Sequence, residues 1–253
     1  MKAMIFAAGF GTRLKPLTDS CPKALVKVGD KPMLQHTIEH LIKHNFDEII
    51  VNIHYLGDQI KAFLQQHNNF GIRIEISDET DLILETGGGL LKAQHFFDDN
   101  EAFLVCNADV FTNINVSEMY RFHQSNGALA TLAVRNREST RYLLFDDNNI
   151  LYGWENIKTN VAKIPRKIPE AVKANFAPGD TYPLHEFAFS GYHIISPEIF
   201  KHQSLLGVFS MTDWYLDLCR NHTIVAYPHN NDVWVDIGSF AQLQKANELI
   251  ATM

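Results

Sequence analysis

The sequence predicts a doubly wound α/β fold, with a mostly parallel sheet and a small lobe attached to it. Patterns typical of strands and helices alternate over the first 110 residues. The run "KAMIFAA" is continuously apolar, as in strands that are buried on both faces of a parallel sheet. The chain has 253 residues, 46% of them hydrophobic, which suffices for one large domain.

The first half of the chain has the pattern of right-handed βαβ units. Strand patterns cover 2–8, 48–54, 72–77 and 102–109, and helical patterns cover 31–45, 56–67 and 88–97. In the first helical pattern, Pro32 stands near position N1, and Leu34, Ile38 and Leu41 share one face.

The second half is less regular. Helical patterns cover 116–125, 197–202, 211–221 and 239–252, and strand patterns cover 129–135, 141–146, 150–157, 186–195, 223–229 and 233–238. Residues 158–185 contain four prolines, so we expect a loop-rich excursion there. Ser239 is a plausible N-cap of the closing helix. We expect one domain over 1–253.

Composition excludes several classes of protein. The net charge of −7 disfavours a nucleic-acid surface. No stretch approaches the roughly 20 apolar residues of a membrane span, so no membrane partner is expected. The first 31 residues are basic nevertheless, which suits a small polyanion. The six cations of this segment are Lys2, Arg13, Lys15, Lys23, Lys27 and Lys31, against Asp19 and Asp30.

Cysteine usage and the N-terminus predict a cytoplasmic protein. Cys21, Cys106 and Cys219 are odd in number and lack metal-binding spacing, which favours reduced thiols. The opening "AMIFAAGF" resembles a secretion signal, but the run is short, and Arg13 and Lys15 follow it at once. A buried first strand explains it better. The sequence does not decide whether the protein forms a homo-oligomer.

A glycine-containing loop follows the first strand. Glycines there let backbone N–H groups approach phosphate oxygens. A dinucleotide-binding fingerprint would need a third glycine where Leu14 stands, and a P-loop would need Gly-Lys-Ser/Thr. Neither is present. The actual string is "AAGFGTRLKPLTDSCPKALVKVGDKPML".

That string resembles the signature of the sugar-1-phosphate nucleotidyltransferases, A-A-G-x-G-T-R-x-x-P-L-T followed by P-K-x-L-x-x-V and K-P. The resemblance implies the nucleotide-diphospho-sugar transferase fold, with 1–135 as the nucleotide-binding half and 136–253 as the sugar-binding lobe and closing elements. By this resemblance Arg13 and Lys23 are catalytic and hold the triphosphate. The implied nucleotide contacts in this loop are Ala8, Gly9, Gly11 and Thr12.

Three later stretches fit the same family. "LETGGGLLKA" matches its glycine-rich turn against base and ribose, which implicates Glu85, Thr86, Gly87 and Gly88. "NADVFT" and "VWVDIGS" match the segments that carry its two magnesium ligands, here Asp109 and Asp236. Both substrates, a nucleoside triphosphate and a sugar 1-phosphate, are anionic. Mg²⁺ bound by one or two carboxylates plus phosphates and waters would bridge them.

The sugar-binding residues are less clearly marked. The resemblance implies Asn107, Ser190 and Gly191, but the Glu-Lys pair by which many members hold the sugar phosphate has no clean counterpart. Arg141 is our candidate for that cation, with Arg137 and Lys158 as alternatives.

Within the family, the sequences of these motif segments most resemble those of the N-acetylmuramate-1-phosphate uridylyltransferases of bacterial cell-wall recycling. UTP and N-acetylmuramate 1-phosphate are therefore the expected substrates. Mannose-1-phosphate guanylyltransferases are the first alternative, and choline-phosphate cytidylyltransferases the second. Glucose-1-phosphate thymidylyltransferases rank lower, because their Gln-Pro-x-Pro-x-Gly-Leu segment is replaced by "LETGGG". A non-catalytic, nucleotide-sensing relative is a further alternative, disfavoured by the presence of Arg13, Lys23 and both aspartates.

Overall fold

A computed structural model describes residues 1–168 and 182–251 of the chain. The helices are α1 Met33–Lys43, α2 Gly57–Gln66, α3 Glu85–Lys92, α4 Val116–Asn126, α5 Met211–Leu218 and α6 Phe240–Ile250. The strands are β1 Lys2–Phe6, β2 Lys27–Val28, β3 Lys31–Pro32, β4 Glu48–Ile53, β5 Arg73–Asp78, β6 Phe103–Asn107, β7 Val110–Thr112, β8 Ala130–Arg135, β9 Arg141–Phe145, β10 Leu151–Asn156, β11 Val161–Lys163, β12 His185–Ile195, β13 Ile224–Pro228 and β14 Trp234–Asp236.

One ten-stranded sheet organises the molecule. Its main order is β11-β10-β9-β12-β6-β1-β4-β5, and β8 pairs with both β12 and β13. The neighbours β6, β1, β4 and β5 are parallel, whereas β12 is antiparallel to β6, β8 and β9. The predicted doubly wound fold, with a mostly parallel central sheet, is confirmed.

Strand β1 is buried on both faces, as its apolar run predicts. Met4 packs into the core cluster on one side of the sheet, and Ala3 and Ile5 pack into the cluster on the other side. All three are fully buried. Because β1 is central, the residues that follow it emerge at the carboxyl edge of the parallel strands, where open α/β sheets bind ligands.

A third, smaller core holds the glycine loop in place. It consists of apolar residues from the loop, from β14 and its neighbours, and from α6; its buried members are Leu14, Val26, Val28, Met33, Phe111, Val235, Ile237 and Ala246. The expected N-cap of α6 is confirmed, since the Ser239 hydroxyl accepts a hydrogen bond from the Gln242 backbone amide. The loop is therefore packed against the closing helix rather than free in solvent.

Some predicted boundaries are wrong. The helix expected from residue 88 begins at Glu85, so the glycine-rich turn is itself helical. Pro32 precedes α1 as its N-cap residue instead of occupying N1. The segment 197–202 forms a 3₁₀ helix. Within the expected loop-rich excursion, β11 forms a short strand; residues 169–181 of that excursion lie outside the described part of the chain.

No helix within residues 1–168 and 182–251 is long and apolar enough to cross a membrane. The three cysteines, all described, are free, in agreement with the expected reduced thiols.

Buried histidines make the fold sensitive to acid. His123, His193 and His229 are at most 5% exposed. Burial lowers their pKa values to about 4, about 3 and about 4, respectively. In the unfolded chain the pKa returns to roughly 6.5, so between these values the unfolded state binds more protons. Stability is therefore fully present above pH ~6.5 and is lost as the pH falls towards the folded-state values.

We expect the melting temperature to change little from pH 7.5 to about 6.5 and to fall from there to pH 5.5, since below pH ~6.5 each such histidine contributes up to about 1.4 kcal/mol per pH unit. Melting curves across this range check the prediction. His123→Gln, which keeps polar atoms near the Thr131 and Ser196 hydroxyls that contact the ring, should give a shallower dependence. A melting temperature independent of pH would contradict this account.

Candidate functional site

The glycine loop places two cations at the carboxyl edge of the sheet. Gly11 has φ +65°, a left-handed conformation that favours glycine, and the Leu14 amide donates to its carbonyl over 2.9 Å. A Cβ on Gly11 would lie 3.0 Å from the Lys23 Cβ, so glycine also allows the two parts of the loop to approach. Leu14 of the loop packs into the third core, whereas Lys23 lines the first cavity and Arg13 lines another cavity described below.

Two aspartates lie beside these cations although the sequence separates them by more than a hundred residues. Strands β7 and β14 pair antiparallel with Asp236 opposite Val110, and the Ile237 amide donates to the Asp109 carbonyl over 2.9 Å. This short ladder brings the carboxylates together. The ammonium group of Lys23 forms an ion pair with Asp109, and its Nζ lies 3.8 Å from Asp236 Oδ1.

Arg13 completes the group. A Cβ on Gly238 would lie 2.4 Å from an Arg13 guanidinium nitrogen and 2.8 Å from Asp236 Oδ1, so a side chain at position 238 would displace these two groups. The structure thus brings together all four residues to which the sequence assigned catalysis or metal binding.

The carboxylate pair fits a hard divalent cation. Burial raises the pKa of Asp236, and the nearby Asp109 charge raises it further. Asp236 Oδ1 is buried and has no hydrogen-bond partner among the described residues. Within residues 1–168 and 182–251, no cluster of three or more histidine, cysteine, aspartate or glutamate side chains could hold a metal. Two carboxylates with open positions suit Mg²⁺, which takes its remaining ligands from phosphates and water.

A cavity of about 250 Å³ opens between β1, β4 and β6 beside this cluster. Its lining includes predicted residues from three of the four motif stretches, namely Ala8, Gly9, Lys23, Glu85, Thr86, Asn107 and Asp109. A Cβ on Gly9 would meet nothing within 4 Å, so this backbone borders open space and can be approached closely.

Two cavity residues were missed by sequence reasoning. Asn52 Oδ1 accepts a hydrogen bond from the Ala7 amide over 2.8 Å, and Asn52 Nδ2 donates to Glu79 Oε1 over 2.8 Å. Glu79, only 1% exposed, also accepts from the Leu84 amide over 3.0 Å. The available signal was their position: polar residues at or just after the carboxyl ends of β4 and β5.

The glycines of α3 have an evident packing role. A Cβ on Gly87 would lie 2.4 Å from the Phe209 ring, and one on Gly88 would lie 2.4 Å from the Gly207 carbonyl oxygen. Both amides donate to the Phe209 carbonyl. Glu85 and Thr86 line the cavity, whereas these glycines pack behind them. Their role as nucleotide contacts stays a prediction.

Two further cavities continue from the first. The second, of about 190 Å³, shares Phe6, Thr86 and Asn107 with it and is otherwise mostly apolar. The third, of about 590 Å³, shares Leu143, Phe189 and Thr212 with the second. Arg13, Arg137, Arg141 and Asp236 line the third cavity.

The three adjoining cavities form one cleft, and of the predicted sugar-binding residues Asn107 and Arg141 line it, whereas Ser190 and Gly191 are not among its lining residues. Gly191, with φ +83°, lies where the register of β12 against β8 shifts. A Cβ at this position would lie 2.9 Å from the side-chain Nδ2 of Asn107. Ser190 is 1% exposed, and its carbonyl accepts a hydrogen bond from the Trp234 indole over 2.9 Å. Arg141 lines the third cavity but is exposed, and Lys158 is exposed on a turn.

Comparisons with known proteins agree with this geometry. The family model described as "Nucleotidyl transferase" matches residues 2–253. The chain belongs to the nucleotidyl transferase family. The implied nucleotide-diphospho-sugar transferase fold is confirmed by solved structures. A candidate glucose-1-phosphate thymidylyltransferase from Bacillus anthracis superimposes with a TM-score of 0.79 at 19% identity, over 100% of this chain and 96% of that one. HddC from Yersinia pseudotuberculosis, complexed with GMP-PN, superimposes with a TM-score of 0.73 at 20% identity, over 98% and 99%.

Curated relatives of this nucleotidyl transferase match about half of the chain at higher sequence identity. The UTP–glucose-1-phosphate uridylyltransferase of Synechocystis sp. is 34% identical over 146 residues, which are 53% of this chain and 37% of the relative. The mannose-1-phosphate guanylyltransferase catalytic subunit beta of Xenopus tropicalis is 39% identical over 140 residues, 54% of this chain and 39% of the relative. The matched region thus spans less than half of these relatives' length.

Proposed function

We propose that this nucleotidyl transferase transfers a nucleotidyl group from a nucleoside triphosphate to a sugar 1-phosphate and releases pyrophosphate. The observation that carries the proposal is the convergence of Arg13, Lys23, Asp109 and Asp236 where the cleft's cavities meet. Cations and a carboxylate pair at one place suit a reaction between two polyanions. The names of the relatives, all transferases of this kind, agree with it.

The chain's own residues would perform three tasks. The first cavity would bind the nucleoside, and Arg13 and Lys23 would neutralise the triphosphate and the charge that builds up as pyrophosphate leaves. The phosphate of the sugar has a second pKa near 6, so it is already an ionised nucleophile at pH 7 and requires no general base. Asp109 and Asp236 would hold Mg²⁺, which when bound supplies Lewis-acid neutralisation of the phosphate oxygens.

For the substrates, we propose UTP and N-acetylmuramate 1-phosphate, which the resemblance of the motif sequences favours. The second cavity supports this choice, because Leu132, Leu143, Phe189 and Met211 give it apolar walls. Such walls accommodate the methyl groups of N-acetyl and lactyl substituents better than a bare hydroxyl, which would lose its hydrogen bonds with water there.

The second candidate is GTP with mannose 1-phosphate, and one residue favours it. Glu79 presents a carboxylate to the first cavity. Guanine offers two neighbouring N–H donors on one edge, which match a carboxylate, whereas uracil places acceptors on both sides of its single donor. Both Glu79 oxygens already accept bonds from Asn52 and Leu84, however, which reduces what they can offer to a base.

We expect UTP to exceed GTP in kcat/KM by at least about tenfold with N-acetylmuramate 1-phosphate, since a mismatched polar group in a base pocket costs roughly 1–3 kcal/mol. The two triphosphates compete in one reaction, and mass spectrometry of the nucleotide-sugar product gives the ratio. A mainly GDP-linked product, above all from mannose 1-phosphate, would overturn the uridylyl proposal. A wider panel of triphosphates and sugar phosphates, read out by pyrophosphate release, tests the transferase activity itself.

A further inference from the structure

Arg137 is a half-buried arginine fixed in one orientation. Its guanidinium carbon lies 4.5 Å from the centroid of the Trp234 ring, a cation–π stack. One terminal nitrogen donates to the Phe189 carbonyl over 3.1 Å, and the other donates to the Glu138 carbonyl over 3.2 Å. A side chain held by an aromatic face and two carbonyls loses little further freedom when it binds a ligand.

The charge of Arg137 is not neutralised by an ion pair. No carboxylate in the described ranges lies within 4.0 Å of its guanidinium, and its Nε is buried without a hydrogen-bond partner there. Burial lowers the pKa of this arginine, partly offset by the attraction of Asp236. A partly desolvated cation without a counter-ion is unfavourable in the free protein and becomes favourable when an anion binds.

The position of Arg137 is set by the strand that carries Asp236. Trp234 and Asp236 are two residues apart in β14 and so point to the same side of the strand. The Trp234 indole is fixed by its hydrogen bond to the Ser190 carbonyl. Arg137 and Asp236 line the third cavity together with Arg13. The stack therefore presents a cation to the cleft from the lobe that follows residue 135, whereas Arg13 and Lys23 come from the N-terminal loop.

We infer that Arg137 binds the phosphate of the sugar 1-phosphate, with Trp234 as the positioning residue that holds its guanidinium towards the cleft. This inference rests on the proposed transferase function. A phosphate dianion matches the planar fork of an arginine. Arg141, our candidate from the sequence, lines the same cavity, but it is exposed and would bind an anion more weakly through bulk solvent.

The test compares Michaelis constants of Arg137→Ala with those of Arg141→Ala, the competing candidate in the same cavity, using whichever triphosphate and sugar 1-phosphate wild-type protein turns over best. Arg137→Ala should raise KM for the sugar phosphate at least about thirtyfold, in line with loss of a charge-assisted hydrogen-bond pair. It should change KM for the triphosphate less than about threefold. Arg141→Ala should change both less than about threefold. Added guanidinium ion should partly restore turnover in Arg137→Ala but not in Arg141→Ala.

Other outcomes decide against the inference. Equal increases in both Michaelis constants, or a larger effect of Arg141→Ala, would overturn it while the transferase function stands. Arg137→Lys serves if the alanine variant does not fold: it keeps the charge without the fork, and a KM for the sugar phosphate equal to that of wild type would exclude bidentate binding. Absence of product from wild-type protein across the substrate panel would instead reject the proposed function, and the inference with it.

Discussion

Replacing Asp236 by asparagine should lower kcat at least about a hundredfold and leave the fold intact. Asparagine has nearly the same shape but loses the negative charge, and electrostatic contributions of this kind to catalysis are worth several kcal/mol. The pKa of Asp236 is raised by burial and by Asp109, so the carboxylate is held in an unfavourable charged state. Removing the charge should therefore leave the melting temperature of the metal-free protein unchanged or slightly higher.

Pyrophosphate release over a series of Mg²⁺ concentrations, together with melting curves, measures both effects. Asp109→Asn should lower kcat to a similar extent, and chelation of Mg²⁺ should stop turnover of the wild type. Asp232→Asn is the matched control, since this carboxylate lies near His229 at a distance of 3.3 Å and not among the residues lining the third cavity. Near-normal turnover of Asp236→Asn at ordinary Mg²⁺ would show that this residue is not a metal ligand.

The parallel half of the fold was predictable because its central strands are buried on both sides. A strand such as β1 must be apolar throughout, and so it stands out from the alternating patterns around it. Short elements such as β2, β3 and β7, of two or three residues, have no period to detect. The start of α3 was misplaced because glycines disfavour helices, and only packing against the 207–209 segment explains them at 87 and 88.

The sequence predicts the site residues that belong to a motif. It does not predict those whose position depends on tertiary contacts between distant segments. Arg13, Lys23, Asp109 and Asp236 belong to contiguous motifs, and the structure brings all four together. The stack of Arg137 on Trp234 joins the connection between β8 and β9 to strand β14, nearly a hundred residues away in sequence. Nothing local distinguishes Arg137 from Arg141, so the sequence could not choose between them. The burial of Arg137 and its stack on Trp234 distinguish it from the exposed Arg141.

The structure also changes the expectation for Lys23. From the sequence alone, a lysine in a proline-containing loop without apolar periodicity is expected to contribute little to stability. Its side chain is in fact only 13% exposed, and it separates two carboxylates. Without this ammonium group, Asp109 and Asp236 would repel each other in a partly buried site.

Lys23→Met should therefore lower kcat at least about a hundredfold. It should also lower the melting temperature of the metal-free protein by roughly 2–8 °C, since loss of a partly buried ion pair costs about 1–2 kcal/mol after solvent screening. Mg²⁺ alone, without nucleotide, should raise the melting temperature of Lys23→Met more than that of the wild type, because the cation replaces the missing positive charge between the carboxylates.

Differential scanning fluorimetry with and without Mg²⁺ measures this difference. The control is Lys27→Met, which removes an exposed lysine of the same loop. Equal Mg²⁺ responses in Lys23→Met and the wild type would refute the shared site of lysine and metal, and an intact rate with a large loss of stability would make Lys23 a structural residue only.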